Sequence, residues 1–206
     1  NVKRVVFASS ASVYGDTECV PIMEDATARP ASFYGLSKLP VEKYLQMYHQ
    51  IFGLEYVILR YANVYGERQS DRGPGGVISI FTRKIRHEQT LTIYGDGQQT
   101  RDFVYAGDVA AANYLALITD NVNRVYNIST QTEISINELI GTLEEVSGKQ
   151  ATKSYYPERG GDIYRSTLCN QEAREKLGWQ WEKSLAAGLR LTYIWQDTEG
   201  KTIDKV

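Results

Sequence analysis

The chain has 206 residues, 42% of them hydrophobic and 23% charged, enough for one sizeable core and typical of a soluble globular protein rather than a disordered one. Its net charge of −2 provides neither a basic footprint for nucleic acid nor a polybasic membrane patch. Two cysteines (Cys19, Cys169) and two histidines (His49, His87) make no disulfide framework and indicate no metal site, which fits a reducing cytoplasm. No apolar run approaches a membrane span and no signal peptide is legible.

Val2-Lys-Arg-Val-Val-Phe-Ala8 reads as a strand, about Arg4 to Ala8, apolar enough for a parallel sheet covered on both faces. Asp16 to Ala31, with Pro21 and Pro30, is a long loop, of the kind that often carries function. A helix runs from Phe33 to Phe52, with Val41, Leu45, Tyr48 and Phe52 at helical spacing and Gly53 as its stop. Pro40 falls inside it, removing one backbone bond to Leu36. Glu55 to Tyr61 is a strand, Gly66 to Gly76 a loop, and Val77 to Glu88 an amphipathic helix with Val77, Phe81 and Ile85 on one face. Leu91–Tyr94 and Thr100–Tyr105 are short strands around a turn at Gly95-Asp-Gly97. A helix from Gly107 to Ile118 and a strand from Arg124 to Ile128 follow. Ser135-Ile-Asn-Glu138 is a capping box for a helix that stops at Gly148, and Ser184 caps the last long helix. Strands alternating with helices make this an α/β protein.

Chemistry first appears at Tyr34 and Lys38, four residues apart. Positions i and i+4 share a helix face, so the Lys38 ammonium favours the phenolate of Tyr34 and prepares it as a base. The plain alternative is an amphipathic helix whose tyrosine only packs. Ser10 ends the first strand, at the edge where ligands of open α/β sheets bind; a serine there could equally cap its own strand.

Ser9-Ser-Ala-Ser-Val-Tyr-Gly15, Tyr34-Gly-Leu-Ser-Lys38, Leu59-Arg-Tyr-Ala-Asn-Val-Tyr-Gly-Glu-Arg-Gln69 and Tyr94-Gly-Asp-Gly-Gln-Gln-Thr-Arg-Asp-Phe-Val-Tyr105 occur in that order. Together they resemble the extended short-chain dehydrogenase/reductase family, and within it the NAD-dependent UDP-sugar 4-epimerases of the UDP-glucose 4-epimerase type, from Asn1 to about Trp195. The resemblance implies the C-terminal half of a Rossmann-type parallel sheet in residues 1–62. It implies a smaller mixed α/β substrate-binding domain in 63–206, of which about 107–129 packs back on the sheet. No Gly-x-x-Gly-x-x-Gly turn for a dinucleotide pyrophosphate occurs in the sequence. The family carries that turn about a hundred residues upstream of the serine strand, so the chain is expected to be the C-terminal two-thirds of a longer protein and, alone, inactive.

The family's mechanism implies that Tyr34 takes the C4 hydroxyl proton of the sugar while hydride passes to NAD. A 4-keto sugar then turns over and receives hydride on its other face. Ser10, Tyr34 and Lys38 are the implied catalytic residues, with Ser9, Tyr34 and Lys38 touching the cofactor. Asn63, Arg101, Arg159, Asp162, Ser10 and Ser166 are the implied contacts to the UDP-sugar. Related dehydratases carry an Asp-Glu pair where this chain has Ala11 and Ser12, which cannot do that proton work. Ser166 aligns with a pocket-wall residue that is a bulky aromatic in some glucose/galactose-only enzymes, so a C2 N-acetyl group is expected to fit. Tyr94 is expected to pack in the core, and Asn170 to cap the helix that follows it in place of the family's aspartate, where Cys169 stands. A homodimer through the Tyr34 helix is implied, with no nucleic-acid or membrane partner. Two rivals stay open: a reductase or dehydrogenase of the same superfamily, and a non-catalytic sugar-nucleotide-binding fragment.

Overall fold

The computed structural model describes residues 2–17, 19–70, 76–160 and 163–198. Its centre is a parallel sheet of β1 (Arg4–Ser10), β2 (Glu55–Tyr61) and β7 (Arg124–Ile128), in the order β1-β2-β7. The register pairs Ser10 with Tyr61, and Tyr61 with Ile128, so the three C-terminal ends finish level. β2 is the apolar centre: Val57, Ile58 and Leu59 are fully buried. β1 is only half-buried, and Ala8 is exposed, because β2 is its sole strand partner among the described residues.

β1 leads through a one-turn 3-10 helix, Ala11–Val13, and the long loop into α1 (Phe33–Phe52). Ser32 caps α1 by accepting from Gly35 N–H, and Gly53 ends it in the left-handed region at φ 69°. The expected apolar stripe needs correction. Gly35, Glu42 and Leu45 are the buried residues of α1, whereas Tyr48 and Phe52 are 52% and 72% exposed. Pro40 is accommodated without ending the helix.

A second layer of short strands and helices follows. β3 (Asn63–Tyr65) pairs in parallel with β6 (Phe103–Tyr105), β4 (Leu91–Tyr94) in parallel with β9 (Lys153–Tyr156), and β5 (Thr100–Arg101) antiparallel with β8 (Ile134–Ser135). The Gly95–Gly97 turn therefore does not fold its flanking strands on each other; each finds a distant partner. The expected single strand over 100–105 is broken at Asp102. α2 (Val77–Arg86) and α4 (Ile136–Ser147) cover this layer, burying Ile78, Phe81, Ile85, Leu139, Ile140 and Leu143 around Leu91 and Ile93. The capping box is present, with Ser135 accepting from Glu138 N–H while Glu138 accepts from Ser135 N–H.

α3 (Ala106–Ile118) packs on β1 and β2. With β7 it returns the chain to the first sheet, and the two layers are continuous. α5 (Gln171–Glu175) packs against β7, and α6 (Leu185–Thr198) against α4 and α2. Ser184 accepts from Ala187 N–H, as a cap does. Asn170 does not cap α5 with its side chain: its Nδ2 is turned inward to donate to Ser129 O at 2.8 Å, because the residue is fully buried. Cys19 and Cys169 are free.

Trp179 closes the core beneath β2 and β7. It is 1% exposed and its indole N–H donates to Asp108 O at 2.8 Å. Trp179→Ala leaves a large cavity and removes the indole hydrogen bond, so chemical denaturation should show a loss of about 3–5 kcal/mol.

Candidate functional site

The level C-terminal ends of β1, β2 and β7 gather the functional candidates on one edge, the ligand edge of an open parallel sheet. Ser10 is the last residue of β1. Its Oγ accepts from Ser12 N–H and donates to Ser12 Oγ, both at 3.2 Å. The local capping read as an alternative is therefore real, and it leaves the hydroxyl half-exposed.

α1 begins against this strand end. A Cβ built on Gly35 would collide with the backbone carbonyl of Ser12, so only glycine lets the helix start so close to the turn after Ser10. Tyr34, next to it, is 56% exposed. Lys38 Nζ donates to Ala8 O at 3.0 Å and lies 5.5 Å from the Tyr34 ring centroid. Hydroxyl, phenol and ammonium thus come from a strand end and one helix face, at the sheet's open edge. Two of these groups face outward and the third is held by a carbonyl, so all three are open to a ligand at this edge.

Ser9 is placed otherwise than expected. It is 2% exposed, and its Oγ donates to Glu42 Oε1 at 2.5 Å. Neighbouring residues on a strand face opposite ways, so Ser10 faces the open edge while the Ser9 hydroxyl is committed to the interior.

Of the anchor candidates, Asn63, Arg101 and Ser166 sit beside this edge. Asn63 is exposed at the start of β3 and donates its backbone N–H to Asp102 O at 2.8 Å, which sets it beside Arg101. The segment carrying Ser166 is strapped across the same region: Thr100 N–H donates to Tyr164 O, Ile22 N–H to Thr167 O, and Arg165 forms an ion pair with Glu133 at 2.6 Å. Ser166 itself is half-buried. Arg159 stands apart, exposed, with its guanidinium 3.6 Å from the Tyr94 ring centroid. Tyr94 is half-buried, and so acts as the platform for a cation rather than as core. Asp162 lies outside the described residues.

Two buried carboxylates hold this architecture, and neither was among the candidates read from the sequence. Asp102, 1% exposed, accepts from Thr130 N–H and Thr130 Oγ1 through Oδ1, and from Gln131 N–H through Oδ2. It ties the strand that bears Arg101 to the loop after β7. A carboxylate inside Thr-Arg-Asp-Phe-Val-Tyr105 was the legible signal, since an acid amid strand-forming aromatics needs donors to be tolerated. The second is Glu42, paired with Arg60 of β2. Arg60 breaks an otherwise apolar strand, and Glu42 lies three before Leu45 on the buried stripe. Among the described residues no His/Cys/Asp/Glu group could hold a metal ion, and no helix is long and apolar enough to cross a membrane.

The NAD dependent epimerase/dehydratase family profile matches residues 1–129, and the chain belongs to that family. A relative from Methanocaldococcus jannaschii is 43% identical over 203 residues, covering 98% of this chain and 66% of its own. The UDP-glucose 4-epimerase of Mycolicibacterium smegmatis is 38% identical, covering 93% and 61%. The structure of the Thermotoga maritima UDP-glucose 4-epimerase with UDP-glucose superposes with a TM-score of 0.92 at 39% identity, over 98% of this chain and 64% of that one. The Methanobrevibacter ruminantium UDP-N-acetylglucosamine 4-epimerase, in complex with UDP-N-acetylmuramic acid, gives 0.91 at 35%, over 96% and 64%. The chain thus spans less than two thirds of the length of these relatives.

Burial raises the Asp102 carboxyl to about 6, above the usual carboxylate range, because desolvation outweighs the surrounding donors. Folding therefore tightens its hold on a proton, and its contribution to stability is full below the unfolded value and lost as pH rises through about 6. Asp102→Asn removes this titration. The stability advantage of wild type over the variant should accordingly grow between about pH 7.5 and about pH 4.5 in paired urea denaturations.

Proposed function

We propose that the whole protein inverts C4 of a UDP-hexose by an NAD-dependent route, taking UDP-glucose and UDP-galactose and, through a small Ser166, their 2-N-acetyl counterparts. The observation that carries this reading is the convergence of Ser10, Tyr34 and Lys38 at one sheet edge. Bound NAD supplies a nicotinamide that accepts the C4 hydride and gives it back. In this reading the Tyr34 phenolate takes the C4 hydroxyl proton and returns it, Ser10 hydrogen-bonds the reacting oxygen, and Lys38 supports the phenolate and the nicotinamide ribose. The 4-keto sugar is then free to turn about its diphosphate tether. Arg101, Arg159, Asn63 and Asp162 hold the nucleotide, so remote binding energy keeps the intermediate from escaping.

Ala11 and Ser12, after Ser10, favour epimerisation over the dehydratase chemistry that the family name also covers, since neither can act as acid or base. The names of the relatives support a 4-epimerase and differ in the sugar: glucose, N-acetylglucosamine, and, in a Bacillus cereus enzyme that superposes with a TM-score of 0.87, glucuronic acid. The proposal includes a homodimer through α1, whose Tyr44, Met47, Tyr48 and Ile51 are all at least half exposed.

Tyr34→Phe in the full-length protein should lower kcat by at least about 100-fold with KM little changed, read by chromatography of UDP-glucose and UDP-galactose. Wild-type speed in that variant would defeat the reading. Stoichiometric loss of NADH in place of inversion would favour the reductase. Ser166→Tyr should cut kcat/KM for UDP-N-acetylglucosamine by about 10- to 200-fold relative to UDP-glucose. Failure of the wild type to turn over either acetylated sugar would remove that part of the proposal.

A further inference from the structure

We propose that Glu42 is a positioning residue: paired with Arg60 and the Ser9 hydroxyl, it locks the helix carrying Tyr34 and Lys38 in register with the strand end carrying Ser10. The inference rests on the functional reading above for the meaning of those three residues, but its geometry stands alone.

Glu42 is 1% exposed and Arg60 6%. Glu42 Oε1 accepts from Ser9 Oγ at 2.5 Å and from Arg60 Nε at 3.0 Å, and Oε2 accepts from Arg60 Nη2 at 2.6 Å. One carboxylate therefore joins α1, β1 and β2. The rest of the guanidinium is also engaged: Nη1 donates to Glu24 O at 3.1 Å, and its face lies 4.7 Å from the Tyr14 ring centroid. Tyr14 closes the cluster by donating to Asn127 Oδ1 at 2.7 Å. Burial pushes the Tyr14 phenol up to about 12, so it stays a donor across the working pH range.

Pro40 explains why such a lock is needed. It has no N–H for Leu36 O, so the first turns of α1 are held to the remainder by one backbone bond fewer. The structure bridges that weak point from β1. Lys38, before Pro40, donates to Ala8 O, and Glu42, after it, accepts from Ser9 Oγ. Ala8 and Ser9 are the two residues before Ser10, so both tethers act on the strand end that presents the hydroxyl. A buried ion pair adds little net stability compared with apolar residues of similar shape. Arrangement, rather than stability, is the property it supplies here.

The test compares Glu42→Gln, the double variant Glu42→Met/Arg60→Met, and Tyr34→Phe, all in the full-length protein. The double variant should unfold within a few degrees of wild type, yet exchange amide hydrogens over residues 33–42 about tenfold faster, with α4 unchanged. Its kcat should fall about 10- to 100-fold at a KM within about twofold, the signature of misplaced groups rather than lost binding. Glu42→Gln keeps one acceptor for Ser9 and Arg60 but leaves the buried Arg60 charge unpaired, so it should move both readouts the same way and unfold at a lower temperature than the double variant; it decides the matter if the double variant does not fold. Wild-type exchange over 33–42 together with a wild-type kcat in a folded variant would overturn the proposal. Tyr34→Phe separates the two claims: it should abolish turnover without altering exchange. If it stays active the functional reading fails, while the exchange data still decide the role of Glu42.

Discussion

Parallel strands cannot be joined by a tight turn, so each strand of the β1-β2-β7 sheet must release its chain at the same edge and recover it at the other. Everything at this site follows from that constraint. Because Ser10, Tyr61 and Ile128 finish level, the segments leaving them are forced into one neighbourhood. These are the turn into α1, the start of β3, and the loop at Thr130. In this fold the Ser10 hydroxyl, the Tyr34 phenol and the Lys38 ammonium stand at that edge.

Such an edge is costly to order, since polar groups taken from water need partners. The chain meets this with buried carboxylates rather than apolar packing. Asp102 gathers donors from the loop after β7. The half-buried Glu24 supports them, accepting from Asn127 N–H at 2.9 Å, its carboxyl shifted upward chiefly by desolvation. Glu42 takes the Arg60 fork and the Ser9 hydroxyl. Each ties elements far apart in sequence. Breaking the Glu42–Arg60 pair strands a buried charge, so its geometry is over-determined in a way that a hydrophobic contact is not.

The regular elements were legible because local signals agreed with the fold. The α1 boundaries, the β2 and β7 strands, and the capping box at Ser135 each had an apolar period or a cap residue to mark them. What escaped was non-local. β3, β8 and β9 are two to four residues long and exist only because distant strands pair with them; nothing in Lys153–Tyr156 says that Leu91–Tyr94 will lie alongside. The face of α1 was misjudged for a related reason. Tyr48 and Phe52 fit the helical period, but the sheet meets the helix along Gly35, Glu42 and Leu45, and a glycine and a glutamate do not register in a hydrophobic pattern. Ser9 shows the same limit, since a serine pair at a strand end does not reveal which hydroxyl turns inward. The outward-facing candidates were readable from ordered motifs, whereas the buried acids that support them required the fold.

The two sides of the candidate site are held by different kinds of contact, and that difference suits the proposed reaction. Ser10, Tyr34 and Lys38 stand on a strand end and a helix, braced by buried charge. Arg159 rests on an aromatic face at the surface, and Ser166 lies on an irregular strap held by backbone bonds to Ile22 and Thr100. An enzyme that lifts hydride from one face of a sugar and returns it to the other must keep its base fixed while the ring turns. It must also hold the nucleotide through contacts that the turning ring does not disturb. In the proposed reaction the braced side serves the first need and the anchor side the second.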